Sequence, residues 1–419
     1  MLGYGLVSHS FDVAAVVLGG LLIAGALVSE LVHRSFVSLA AVFVVAGFVL
    51  GHGAIGVLDF ARDSGFVSQL ATVALIVILL RDGLEVDGEM LRSNWHLPAR
   101  KLIAAMPLTA GLVAVATKLL IGLPWTDAFL VGALLSPTDP VLSSNVVTNP
   151  RVPAIVRSSL NLESGLNDGL ALPAVLALAG ALQPGGHFVL WRFICENLGF
   201  GFGVGIVIGL IASLTPARPA RPMAAHQQAL FALGVAFAAY GAAVLLPNGN
   251  GLIAVFVAAI VLGIRRPDMR EAFANQSLDL VEIVKLGIFA VFGSLLTWHG
   301  LSSNGWAGLG VAALTLFVVR PIAVICSLVG TSTDLPTRGF MAWFGPKGVA
   351  TMTFSLLILS DNLRHGTTIF DLAALTVIVS VFAHGLTDRA GAEWMGAHAE
   401  RAAVKAVKAV KAVKADGQA

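Results

Sequence analysis

The sequence predicts an all-α, polytopic membrane protein of about 13 transmembrane helices. Three observations carry that reading. Of 419 residues, 57% are hydrophobic and 12% are charged, whereas a soluble domain carries about 25% charged residues. The mean hydropathy is +0.87. The apolar runs recur at the roughly 17 to 25 residues that cross a bilayer, and the 45 glycines suit close helix approach in lipid.

The first run is Phe11–Val32. No basic cluster precedes it, so it reads as a span rather than a cleaved signal peptide. Ser35–His52 is short. Ser64–Leu80 ends near Asp82, Glu85, Asp87 and Glu89, either a solvated helix end or an acidic mouth that draws cations. Leu97–Ile121 and Pro124–Val147 lie on either side of Pro124, and Asp127 suits a helix N-terminus. Val152–Leu182, Phe188–Leu214, Ala224–Leu246 and the short Gly249–Ile264 follow. Leu278–Trp298 opens with Glu282 and Lys285, whose spacing predicts a local pair. Gly305–Val329 holds Arg320 before Pro321, read as a structural arginine that snorkels or pairs. Leu335–Leu359 and Thr367–Leu386 complete the set.

Basic residues gather in alternate connections: Arg34; Arg92, Arg100 and Lys101; Arg151; Arg218 and Arg221; Arg265, Arg266 and Arg270; Arg338; Arg389 and the tail lysines. Arg62 and Arg364 are the exceptions. Positive-inside bias then places the N-terminus outside and the C-terminus in the cytoplasm, across a cell inner membrane. An odd number of spans requires the same. The chain divides into a transmembrane domain over 1–390 and a cytoplasmic lysine-rich tail over 391–419, where Val-Lys-Ala repeats from Val404. A period of three makes no clean apolar stripe, so the tail is expected to be solvated and partly helical beside acidic lipid.

Three polar breaks interrupt the apolar sequence: Ser136–Pro140, Asn161–Gly169 and Gly345–Gly348. An ionisable group within a span costs roughly 2.5 to 3.5 kcal/mol, and such groups mark ion pathways and proton relays. The first break lies in the fifth span and the last in the twelfth. An odd offset of seven spans reverses direction, so spans 1–6 and 8–13 form an inverted repeat, with spans 5 and 12 as broken crossing helices. Paired interrupted spans in two halves point to a transporter's binding site. Asp139 and Lys347 can neutralise the helix ends left at the breaks. Ser164, Asn167 and Asp168 share one helix face. With Thr138 they offer the carboxylate, hydroxyl and carbonyl oxygens that an alkali cation prefers. Burial disfavours a charged carboxylate, so a proton and a cation compete for Asp168, and the competition couples their fluxes.

Leu134–Val141 and Glu163–Gly169 resemble the paired signatures of NhaP-type sodium–proton antiporters, in the wider monovalent cation:proton antiporter superfamily. Leu79–Asp87 and Phe344–Ala350 are similar to two further family blocks, in the same order. The resemblance extends to about Gly391. It implies that Asp168 alternately holds a proton and a cation, and that Ser164 and the backbone at Thr138 add ligands. It implies that Asn167 marks the electroneutral branch, that Asp139 balances helix ends, and that Glu163 pairs with Lys347. It further implies a homodimer working in pH and sodium homeostasis. Two departures stand out. The family usually has arginine where Lys347 stands. It often has glutamate where this chain has Arg81, followed by Asp82, a possible accessory group beside Arg320.

The reading is a secondary antiporter that exchanges a monovalent cation, Na+ first and K+ or Li+ as alternatives, for H+. It is not an enzyme. A cation channel would need a continuous polar pore, whereas these polar residues concentrate at one depth. A non-transporting sensor would not need Asp168 and Asn167. No cofactor, resident metal or nucleic-acid partner is expected: His9, His52, His299 and His384 have no metal-ligand spacing, and Cys195 and Cys326 read as small hydrophobes.

Overall fold

The computed structural model describes residues 16, 19–20, 23, 39–61, 64–86, 95–139, 144–183, 198–214, 223–246, 249–361 and 363–416. Most of the first expected span, with Arg34, Arg62, Asp87, Glu89, Arg92, Pro140, Cys195, Arg218 and Arg221, lies outside them.

The described residues are helical, without strands. In chain order the helices are α1 Leu39–Leu50, α2 Gly65–Leu84, α3 His96–Leu120, α4 Trp125–Leu134, α5 Ser144–Thr148, α6 Ala154–Leu182, α7 Gly199–Ser213 and α8 Ala225–Val244. Then come α9 Gly251–Arg265, α10 Pro267–Gln276, α11 Leu278–Ser294, α12 Trp298–Ser302, α13 Gly305–Ser327, α14 Leu335–Trp343, α15 Val349–Ser360 and α16 Gly366–Asp416. Six of them, α2, α3, α6, α8, α13 and α16, are long and apolar enough to cross a membrane.

Local chemistry explains many of the boundaries. The Ser64 hydroxyl accepts from the Val67 N–H to start α2, and Asn250 and Asp334 start α9 and α14 in the same way. Two helices carry a wide π turn, Lys101–Ala105 in α3 and Thr315–Val319 in α13. Each lies just before a proline, Pro107 and Pro321. A proline ring crowds the carbonyl four residues back, and the wider turn accommodates it. The expected polar breaks at the fifth and twelfth spans coincide with non-helical backbone: Ser136–Asp139 follows α4, and Phe344–Gly348 separates α14 from α15.

Packing forms three apolar cores among the described residues. The largest surrounds α9, which packs against α2, α7 and α8. The second joins α1, α11 and α15. There Gly47 and Gly293 let α1 and α11 meet backbone to backbone: a Cβ at Gly47 would strike the Ala290 carbonyl, and one at Gly293 the Val44 carbonyl. The third joins α5 and α14 to Ala392 and Met395 of α16. So α16 crosses the boundary expected at residue 390 without a break and remains helical to Asp416. Within it Ala392 and Met395 are buried, while Glu393 and Trp394 are exposed.

Candidate cation site

The two non-helical segments touch each other. The Asp139 N–H donates to the Pro346 carbonyl at 2.8 Å. Each segment also supplies a charge to the other's helix end. The Asp139 carboxylate accepts from the Val349 N–H at 3.3 Å, at the start of α15, where the helix carries partial positive charge. The Lys347 ammonium donates to the carbonyls of Ser136 and Pro137 at 3.3 and 3.1 Å, just beyond the negative end of α4. The Val349 N–H, a donor that helix geometry leaves unpaired, is thereby answered. Gly348 permits the crossing, because a Cβ there would run into the Asp139 side chain.

Beside the crossing lies a small polar cavity of about 20 Å³, room for roughly one water-sized guest. Helix α6 lines it with Asn161, Ser164, Gly165 and Asp168, from one face of the helix. Helix α2 adds Ile78, Arg81, Asp82 and Glu85, α11 adds Lys285, and the crossing adds Asp139 and Val349. At its mouth Asn161 and Glu85 are exposed; Asp82, Asp139, Asp168 and Lys285 are buried. Arg81 is committed to Glu85, with Nε 3.0 Å from Oε1. The Asp168 Oδ1 atom has no hydrogen-bond partner among the described residues. A buried carboxylate oxygen without a donor is a strong acceptor in search of a cation or a proton.

Thr138 and Asn167 occupy different places from those expected. The Asn167 amide donates to the Thr138 carbonyl at 3.0 Å and to its hydroxyl at 2.9 Å. Both Thr138 oxygens thus point at an amide rather than at the cavity, and Asn167 anchors the extended segment. Asn167 instead lines a second cavity of about 10 Å³, together with Lys101, Ser136, Glu163 and Arg320.

The expected Glu163–Lys347 pair is absent. Glu163 accepts from the Lys101 ammonium at 2.6 Å and from the Arg320 guanidinium at 3.2 Å. The reason lies in the π turns. Lys101 opens the turn in α3, and Arg320 follows directly on the turn in α13. Both are turned inward, with Lys101 only 1% exposed. Lys101 therefore is not the loop charge its sequence position predicts, and Arg320 pairs rather than snorkels. Nor do Glu282 and Lys285 pair: Glu282 is exposed, while Lys285 lies on the buried stripe Val281, Lys285, Ile288, Phe292. Asp127, expected as a cap, holds the His365 ring at 3.0 Å. Among the described residues no cluster of His, Cys, Asp and Glu forms a metal site.

Comparison with known proteins places this arrangement. Residues 18–390 match the model of a transmembrane family described as sodium/hydrogen exchanger. The chain belongs to the sodium/hydrogen exchanger family. It is 27% identical over 380 residues to the K(+)/H(+) antiporter NhaP2 of Shewanella oneidensis, across 88% of this chain. It spans 64% of that relative's length, just under two thirds. It is 25% identical over 332 residues to Na(+)/H(+) antiporter 2 of Zygosaccharomyces rouxii, across 74% of this chain and 40% of that protein. Its fold is similar to that of the sodium proton antiporter MjNhaP1 from Methanocaldococcus jannaschii. The TM-score is 0.76 at 19% identity, over 90% of this chain and 99% of that one. The NhaP-type resemblance carried by the motifs is thus upheld, and the chain is an integral, multi-pass membrane protein of a transporter family.

Proposed function

We propose that the protein exchanges a monovalent cation for protons by alternating access, with Asp168 as the group that carries either one. The observation behind this is the unpartnered, buried Oδ1 of Asp168 on a cavity sized for one small guest. Ser164 and Asp82 are the further oxygen ligands on that cavity; Thr138, Asn167 and Asp139 hold the crossing beside it. A loaded proton or a loaded cation each neutralises the carboxylate and lets the site move between the two faces.

The reading includes thirteen spans in an inverted repeat about broken helices five and twelve. Two relationships support it. The interrupted segments cross in contact. The two π turns fall in the fourth and eleventh spans, which are also seven apart. A transmembrane domain to about residue 390, an N-terminus outside, a cytoplasmic C-terminus and a homodimer belong to the same reading. The orientation rests on Arg100, Arg151, Arg265, Arg270, Arg338 and Arg389, since Lys101 and Arg266 are buried.

Sodium is the first assignment for the cation. Potassium is the second reading, favoured by relatives named as K(+)/H(+) antiporters. The test is cation-driven proton movement in vesicles, run separately with Na+, K+ and Li+. The intact chain should respond to at least one, and Asp168→Asn, still folded, to none. Full exchange by Asp168→Asn would overturn the assignment.

A further inference from the structure

Lys285 sits in the cation cavity without a partner of its own. It is on α11, 6% exposed, and lines the same small space as Asp82 and Asp168. Its ammonium makes no hydrogen bond or ion pair among the described residues that would take it out of play.

The other charges on that cavity are already engaged. Arg81 answers Glu85 at 3.0 Å. Asp139 faces the N-terminal end of α15 through the Val349 N–H. Beyond the cavity wall, Glu163 is held by Lys101 and Arg320, and Lys347 by the carbonyls after α4. What remains is two carboxylates, Asp82 and Asp168, and one ammonium, Lys285. Their sum is a single net negative charge.

This matters because Asn167 does not leave the site with one carboxylate, as its place in the motif implies. Asp82, from α2, supplies a second. A site with two free carboxylates takes up more than one positive charge in at least one loaded state, and its turnover then responds to membrane voltage. A site with one net negative charge is balanced equally by one proton or one monovalent cation.

We propose that Lys285 is a specificity- and stoichiometry-determining residue: a tethered cation that cancels one of the two carboxylates and so fixes a one-for-one, voltage-indifferent exchange. It also lowers the affinity for the transported cation, because the ammonium repels the cation in a space too small to screen it. The inference rests on the exchange activity proposed above. It assigns Lys285 a constant charge rather than a proton-carrying role.

The test uses the full chain in proteoliposomes with Na+ and, separately, K+ as the probe cation, with and without an imposed potential. The intact chain should exchange at a rate indifferent to voltage. Lys285→Gln should become voltage-responsive, with a half-saturation concentration at least ~10-fold lower. Lys285→Arg keeps the charge and should stay voltage-indifferent. Asp82→Asn alone leaves Asp168 cancelled by Lys285, so its half-saturation should rise at least ~10-fold. The double variant Asp82→Asn with Lys285→Gln restores one net negative charge. It should recover voltage indifference and a half-saturation nearer the intact chain than either single variant.

That rescue holds the inference to account even if one single variant folds poorly. No exchange by the intact chain with Na+, K+ or Li+ would defeat the proposed function itself. Exchange by the intact chain that already responds to voltage would overturn the role of Lys285 alone. So would a Lys285→Gln protein that is unchanged in voltage response and affinity, or a Lys285→Arg protein that gains a voltage response.

Discussion

The Lys347 ammonium donates to the Pro137 carbonyl at 3.1 Å, from one non-helical segment to the other. It is fully buried and has no carboxylate in contact among the described residues. Its charge is balanced by the dipole end of α4 and the carbonyls beyond it. The position thus belongs to the architecture of the crossing, and the ion-pair network around Glu163 is separate from it.

Lys347→Met should leave the Ser136 and Pro137 carbonyls buried without that donor. Each unsatisfied group costs about 1–3 kcal/mol. The melting temperature in detergent should fall clearly, whereas Lys347→Arg retains donors and should recover part of the loss. Equal melting temperatures for the Met variant and the intact chain would show that the ammonium does not hold the crossing.

Glu163→Gln should be the most damaging change in its cluster. It leaves Lys101 and Arg320 as buried, uncompensated cations, and breaking a buried pair costs about 3–5 kcal/mol. Lys101→Met should cost less, because Arg320 still answers the carboxylate. A double-mutant cycle between Glu163 and Lys101 should show strong coupling, and a cycle between Glu163 and Lys347 much weaker coupling. The reverse order would contradict the geometry.

Gly348→Ala should be destabilising by about 1–3 kcal/mol, the usual cost of overpacking, because the added methyl meets the Asp139 side chain. Exchange should fall with stability, since Asp139 then loses its place at the start of α15. Gly287→Ala, on α11, meets nothing within 4 Å and serves as the control. Matching stability for the two variants would refute the close approach.

The long helix α16 is tied to α14 by His398 and Asp334, 2.6 Å apart. The Thr337 hydroxyl and then the His398 ring hold the Asp334 carboxyl below the usual carboxylate range. A depressed carboxylate stabilises above its ordinary value and loses that contribution as pH falls through its lower folded value. Protection of residues 391–416 from protease should therefore persist through mildly acidic pH and weaken only below about pH 4. Asp334→Asn should remove that acid limb. Cleavage profiles identical for the two proteins at every pH would count against the tie.

The helical class was legible because it rests on a local signal, apolar runs of bilayer length, and the non-helical backbone at 136–139 and 344–348 falls where prolines stand beside Asp139 and Lys347. Asp168 and Ser164 were legible because a turn of helix puts them on one face. Partners were not. Glu163 has cations available from several helices, and sequence spacing cannot say that π turns swing Lys101 and Arg320 inward ahead of Lys347. Lys285 was hidden by Glu282, three residues away, which offered a simple local partner. The signal that could have found it is phase. Val281, Lys285, Ile288 and Phe292 fall at the helical period, so the lysine shares the apolar stripe and Glu282 does not. The place of Asn167 was hidden for the same reason: its amide turns to Thr138, and the carboxylate that shares the cavity with Asp168 comes from α2.

Helix α16 also sets a mechanical limit on the machine. His365, immediately before it, grips Asp127 in the first turn of α4, and His398, within it, grips Asp334 at the start of α14. From Gly366 to His398 an unbroken helix measures about 48 Å. One helix therefore ties the N-terminal ends of α4 and α14, one near each of its own ends. Neither can slide far without dragging that helix, and the helix cannot shift without pulling on the other. The crossing segments lie between those two ties, so a shift of either segment loads the same helix.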